Sequence, residues 1–108
     1  MKIFVPTSSK SEDSQVSDNL SRAPFFYIFD TEVQEGRFLD NVFLDNPHGV
    51  GIKIAEMIIK NEIDIVIAPR VGEKAFNVLE GYVKLYKSNS RNIKDNIADY
   101  LLGKLEEV

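Results

Sequence analysis

Ile65-Val66-Ile67-Ala68 is an unbroken apolar run, fenced by Asp64 before it and Pro69 after it. A strand with one wet face alternates apolar and polar side chains. An unbroken run fits a strand covered on both faces, which is how parallel sheets are built. The flanking segments agree. Ahead of the run, Val50, Ile54, Ala55, Ile58 and Ile59 share one helical face, and Asn61 is placed to end that helix in a left-handed turn. Behind it, residues 72–80 put Ala75, Phe76 and Leu79 on one side of a short helix closed by Gly81. Strands linked through helices lie parallel with right-handed crossovers, so the chain reads as α/β.

The remaining elements follow from local pattern. Lys2 to Val5 reads as a strand stopped at Pro6, which cannot donate to a ladder. Residues 7–19 are polar and apolar-poor and read as a mobile loop, long enough for a functional role to be plausible. Phe25 to Phe29 is a dense aromatic and β-branched strand, 31–36 a turn, and Arg37 to Leu44 a partly alternating strand. Tyr82 to Tyr86 alternates as another strand. In the last helix Ile93, Ile97, Leu101 and Leu105 recur at i+4, with Ala98 and Leu102 beside them, and Asn92 with Asp95 supplies its cap. The order β-β-β-α-β-α-β-α predicts a mixed five-stranded sheet with helices on both faces. The 108 residues make one domain, 1–108.

Composition removes whole classes of function. Hydrophobic residues at 44% and charged residues at 28% exclude wholesale disorder. The absence of cysteine excludes disulfides, thiolate metal sites and a cysteine nucleophile, and a single histidine, His48, excludes a multi-histidine cage. Thirteen basic side chains against seventeen acidic ones give a formal charge of −4, so the footprint for nucleic acid is missing. Lys84, Lys87, Arg91 and Lys94 form one basic cluster, read as a solvated face. No apolar run approaches a membrane span or a signal-peptide core, so a cytoplasmic protein is expected.

Two segments carry the candidate chemistry. Asn46-Pro-His-Gly-Val-Gly51 joins the third strand to the first helix. Its glycines permit close backbone approach, and the helix start beyond offers unpaired N–H groups with positive dipole character. His48 there is either a contact to an anion or metal cofactor, or an exposed histidine at an ordinary helix start. Pro69-Arg-Val-Gly72 follows the buried strand, at the strand edge where ligands of open α/β sheets gather. Arg70 could hold an anion or pair with a rim carboxylate. Asp30, Asp40 and Asp45 sit at strand ends, where acids also mark turns; no spacing identifies an acid–base pair, and no nucleophile or metal triad supports an enzyme.

Taken together, these motifs resemble the dinitrogenase iron–molybdenum cofactor biosynthesis family, the NifX, NafY and NifB C-terminal-domain group. The resemblance runs through Met1-Lys-Ile-Phe-Val-Pro-Thr7, Val16-Ser17 with Arg22-Ala-Pro-Phe-Phe26, Asn46 to Gly51, and Ile63 to Ala68. It continues through Val71-Gly72, Ala75-Phe76, Val83 to Tyr86, and Tyr100 to Leu105. It implies a three-layer ribonuclease-H-like fold and a non-catalytic domain that carries an iron–sulfur or iron–molybdenum cluster or its precursor. The implied pocket lies among loops 7–22, 46–51 and 69–72, with His48, Gly49, Gly51, Arg22, Arg70 and Gly72 as cofactor contacts and His48 as the metal ligand. Cluster donor or acceptor proteins are the implied partners of a monomer or weak homodimer. Where many members read Ser-x-His-Phe-Gly-Arg-Ala, this chain has Asn19 for the histidine and Ser21 for the glycine; Ala68-Pro-Arg-Val-Gly72 replaces an Ala-Gly-Gly turn. Two other readings are a divergent member serving as an interaction or regulatory domain, and a small-molecule phosphate hydrolase.

Overall fold

The apolar run at 65–68 is the fourth strand of a six-stranded sheet in the computed structural model, which describes residues 1–89 and 92–108. Arg91, part of the basic cluster, lies outside the described residues. The elements are β1 (Lys2–Thr7), β2 (Phe25–Asp30), β3 (Glu35–Asp40), α1 (Val50–Lys60), β4 (Ile65–Ala68), α2 (Glu73–Leu79), β5 (Lys84–Lys87), α3 (Ile93–Leu101) and β6 (Glu106–Glu107). The strand order is β3-β2-β1-β4-β5-β6. β1, β4 and β5 are mutually parallel, and β2, β3 and β6 run antiparallel to their neighbours.

Both faces of the central strands are covered, as the unbroken run requires. Phe4, Phe26, Val66 and Ala68 bury against Ile54, Ala55 and Ile58 of α1 and Ala75 and Leu79 of α2. Ile3, Val5, Ile65 and Ile67 bury against Ile93 and Ile97 of α3 on the other face. The result is three layers. Among the described residues no helix is long and apolar enough to cross a membrane.

Several boundaries differ from the sequence expectation. β1 runs through Pro6, which pairs with Phe26 of β2. The parallel register with β4 covers only Ile3 and Phe4, so the missing N–H falls beyond that ladder. β3 begins at Glu35 and stops at Asp40 rather than Leu44. The buried Asn41 turns the chain there by accepting the Phe43 N–H at 3.0 Å. Segment 7–19 is tied down along its length, not a free loop. Ser8 N–H donates to the Gln15 carbonyl (3.1 Å), Ser17 N–H to the Pro6 carbonyl (2.9 Å) and Ile93 N–H to the Ser14 carbonyl (3.1 Å). Polar composition hides this because backbone bonds, not apolar burial, hold the segment.

The five-strand expectation fails at the last helix. Gly103 adopts φ 73 and closes α3 with bonds from its N–H to Tyr100 and from Lys104 N–H to Asp99, the paired pattern of a Schellman end. The chain then reverses, and Glu106–Glu107 adds antiparallel to β5 as a sixth strand. Leu101 and Leu102, read from the periodicity as helix core, are 53% and 68% exposed. Asn92 does cap the helix, its side-chain oxygen accepting the Asp95 N–H at 2.8 Å. At the end of α1 the left-handed residue is Glu62 (φ 58), one place beyond Asn61, whose φ is −85. Asn61 instead donates its side-chain amide to the Met57 carbonyl at 2.8 Å.

Candidate functional site

The parallel strands end on the side of the sheet where α1 and α2 begin, and a groove of about 400 Å3 opens there between the two helix starts and residues 19–22. Neither start receives a side-chain cap: Gly49 precedes α1 at φ 74, and Gly72 precedes α2 in extended conformation. The first turn of α1 carries no acid, so its positive end is not neutralised locally. Gly49 is required by its left-handed backbone. A β-carbon on Gly49 or Gly72 would meet no atom within 4 Å, so the space beside each of these two lining residues is open. Gly51 serves a different purpose. A β-carbon there would come within 3.3 Å of Ser21 Oγ and 3.6 Å of Ala75 Cβ, so this glycine lets α1, α2 and the loop close on one another.

The loop wall is held by two asparagines. Asn19 Oδ1 accepts the N–H groups of Ser21 (2.9 Å) and Arg22 (3.3 Å), an Asx turn that sets the direction of Arg22. From behind, Asn41 Nδ2 donates to the carbonyls of Ser21 (3.0 Å) and Ala23 (2.8 Å). Leu20 is wholly buried, and its N–H donates to the Arg70 carbonyl at 3.2 Å, joining the loop to the turn after β4. Thus the side chain of Asn19 is spent on folding the loop.

Of the six residues expected to contact a cofactor, five line the groove: Arg22, His48, Gly49, Gly51 and Gly72. Arg70 does not. It is exposed outside the lining, and its backbone, not its guanidinium, reaches the site. His48 is exposed beside Pro47 at the α1 side of the groove. Lys74 also lines the groove and was not among the expected contacts, nor was Glu73, the one carboxylate of the lining. Asn41 was missed as well, although an asparagine directly after a strand ending in Asp40 is a turn signal. Among the described residues no three His, Cys, Asp or Glu side chains converge to hold a metal ion. The arrangement can offer an anion Arg22, Lys74, one imidazole and the free amides at the start of α1.

A mixed sheet with helices on both faces and a glycine-rimmed groove at the carboxyl edge of its parallel strands is the architecture of a small α/β binding domain. The chain matches the family model described as dinitrogenase iron–molybdenum cofactor over residues 1–103, and it belongs to that family. An uncharacterized protein of Methanocaldococcus jannaschii is 28% identical over 111 residues, covering 99% of this chain and 91% of the relative. A Thermotoga protein of the DUF35 family, described as a candidate NifB protein, is 31% identical with a TM-score of 0.86, covering 98% of this chain and 91% of its own. The apo form of the orange protein from Desulfovibrio gigas shares the fold, with a TM-score of 0.92 at 23% identity over 99% of this chain and 92% of that one.

Proposed function

We propose that this domain is a carrier that holds a preformed anionic metal–sulfur cluster, or a precursor of the iron–molybdenum cofactor, as cargo in the groove between the starts of α1 and α2. The chemistry of the donor set supports cargo that brings its own sulfides. The chain has no thiolate, and no cage of three ligands exists among the described residues, so a bare ion has nothing to complete its coordination. A cluster with its own ligands needs only a site of attachment and hydrogen-bond donors for its negative charge. His48 supplies the nitrogen ligand, the α1 amides and Arg22 face the anion, and the open space beside Gly49 and Gly72 leaves room for bulk. The observation that carries the reading is the meeting of two uncapped helix starts in one glycine-rimmed groove with the chain's single imidazole.

In this reading the domain catalyses nothing; it receives the cluster from a donor protein and gives it to an acceptor in the cytoplasm. The reading of the three-layer fold as ribonuclease-H-like comes with the family resemblance. The test is anaerobic incubation with an iron–molybdenum–sulfide cluster formed beforehand from ferrous iron and tetrathiomolybdate, followed by desalting and metal analysis. The wild type is expected to retain colour and metal, and His48→Ala to lose most of it. No retention by the wild type overturns the carrier reading; equal retention by His48→Ala overturns the role of the imidazole.

A further inference from the structure

A second concavity of about 670 Å3 opens at the other end of the central strands, where β4 and β5 begin. Its apolar part is made by Ile65, Phe76, Val83, Leu85 and Tyr100. Tyr82 lines it while 70% exposed, a large aromatic left in water. Three side-chain carboxylates, Asp64, Glu80 and Glu107, lie around this surface against one side-chain ammonium, Lys84, and the amino group of Met1, which is turned to Glu32 at 3.7 Å. None of the three is in an ion pair among the described residues. One Asp64 oxygen accepts the Lys2 N–H at 2.8 Å; no hydrogen bond among the described residues engages the side chains of Glu80 or Glu107. The Tyr100 ring stands edge-on to Tyr86 at 4.9 Å. Its hydroxyl pKa is raised first by burial, then by Tyr86, Asp64 and Glu107, which places both carboxylates within electrostatic reach of this wall.

We propose that this groove docks an extended segment of a partner protein in which an aromatic or long aliphatic anchor is flanked by Lys or Arg. Exposed aromatics beside an apolar floor are the anchoring sites of protein interfaces, and the unpaired carboxylates select the charge of what lies across them. The same carboxylates repel nucleic acid and anionic lipid. A second copy of this chain brings a net charge of −4 towards an acidic surface, so self-docking is disfavoured. The two grooves sit at opposite ends of α2: Gly72 to Ala75 line the first, and Phe76 and Glu80 the second. A partner seated here leaves the helix starts uncovered, and this inference stands whether or not the first groove carries a cluster.

The experiment is an NMR titration of the full chain with a short peptide alternating Lys and Leu around a central Phe, and with its Glu-for-Lys counterpart. The basic peptide is expected to shift the amides of Tyr82, Val83 and Tyr100 saturably, and added salt to weaken it. Tyr82→Ala and the pair Glu80→Lys, Glu107→Lys should each weaken binding at least about tenfold. All three positions are exposed, so these variants keep the fold, and unchanged melting confirms it. The control pair Asp45→Lys, Glu56→Lys, at exposed acids that line neither groove, should leave the affinity unchanged. The proposal is overturned by no binding, equal binding of the acidic peptide, shifts centred elsewhere, or equal weakening in the control. It is also overturned if spermine reproduces the shifts with the same variant dependence, or if they arise from dimerisation without peptide.

Discussion

Asn41 is where the fold and the groove depend on the same atoms, and replacing it makes a quantitative test. Its side chain donates to the carbonyls of Ser21 and Ala23 at 3.0 and 2.8 Å and accepts the Phe43 N–H at 3.0 Å. Asn41→Ala removes all three bonds. Each is worth about 1 kcal/mol net, and the Ala23 carbonyl, whose bond is buried, bears a further unsatisfied-acceptor cost of about 1–2 kcal/mol. Water reaches the two part-buried partners and returns some of that loss, so the expected destabilisation is about 2–4 kcal/mol. In a domain of this size that lowers Tm by roughly 10–25 °C. Asn41→Asp sharpens the test because it keeps the shape and the acceptor while aiming a carboxylate at two carbonyl oxygens. Burial and repulsion raise the folded pKa of the introduced group above the ~3.9 of an unfolded Asp. The unfolded chain therefore loses that proton first. The variant is closest to wild type below about pH 4 and loses stability as pH rises through the folded value. Urea unfolding at acid and neutral pH measures both arms. An Asn41→Ala variant within about 0.5 kcal/mol of wild type, or an aspartate variant with a flat pH response, would refute the clamp.

Gly36 and Tyr27 give a test by change of sign. A β-carbon on Gly36 would fall 1.9 Å from the Tyr27 hydroxyl oxygen, so Gly36→Ala should cost about 1–3 kcal/mol. In a Tyr27→Ala background the same change should become neutral or favourable, and additivity of the two in urea unfolding would contradict the contact. A second expectation concerns alkaline pH. Burial, then Glu12, raises the Tyr27 pKa, as burial and its neighbours raise that of Tyr100. The unfolded chain loses these protons first, near pH 10, so stability should fall as pH climbs from about 10 through the folded values. Tyr27→Phe and Tyr100→Phe should each flatten that fall in denaturant titrations across alkaline pH.

What the sequence made legible is what hydropathy and backbone propensity encode directly. The run at 65–68 announced a strand buried on both faces, and all four of its residues are buried. The spacing of Val50, Ile54, Ala55 and Ile58 named the buried face of α1. The two halves of α3 separate the legible from the hidden. Ile93 and Ile97 bury as the repeat demands, but Gly103 breaks the helix, and Leu105 reaches the core edge only after the chain has reversed. Periodicity carries no mark of that reversal. In the groove, the glycines and His48 were legible because glycine-rich turns mark helix starts, and the chain's single histidine sits in one of them. The role of Arg70 was not. Its neighbours in sequence predict a side chain in the groove, whereas its carbonyl, which every residue has, makes the contact. Asn41 was hidden for a similar reason, since its partners lie eighteen and twenty residues away.

The Schellman end of α3 has a consequence for life at high concentration. Open sheet margins are templates on which other chains lengthen a ladder, the first step towards fibres. By turning the polypeptide back, Gly103 lays Glu106 and Glu107 along one margin of the sheet, a rung bearing two negative charges. A stray strand from another molecule of this acidic protein meets repulsion from those two charges. The glycine that shortens a helix thus also guards the molecule against polymerising through its own flank.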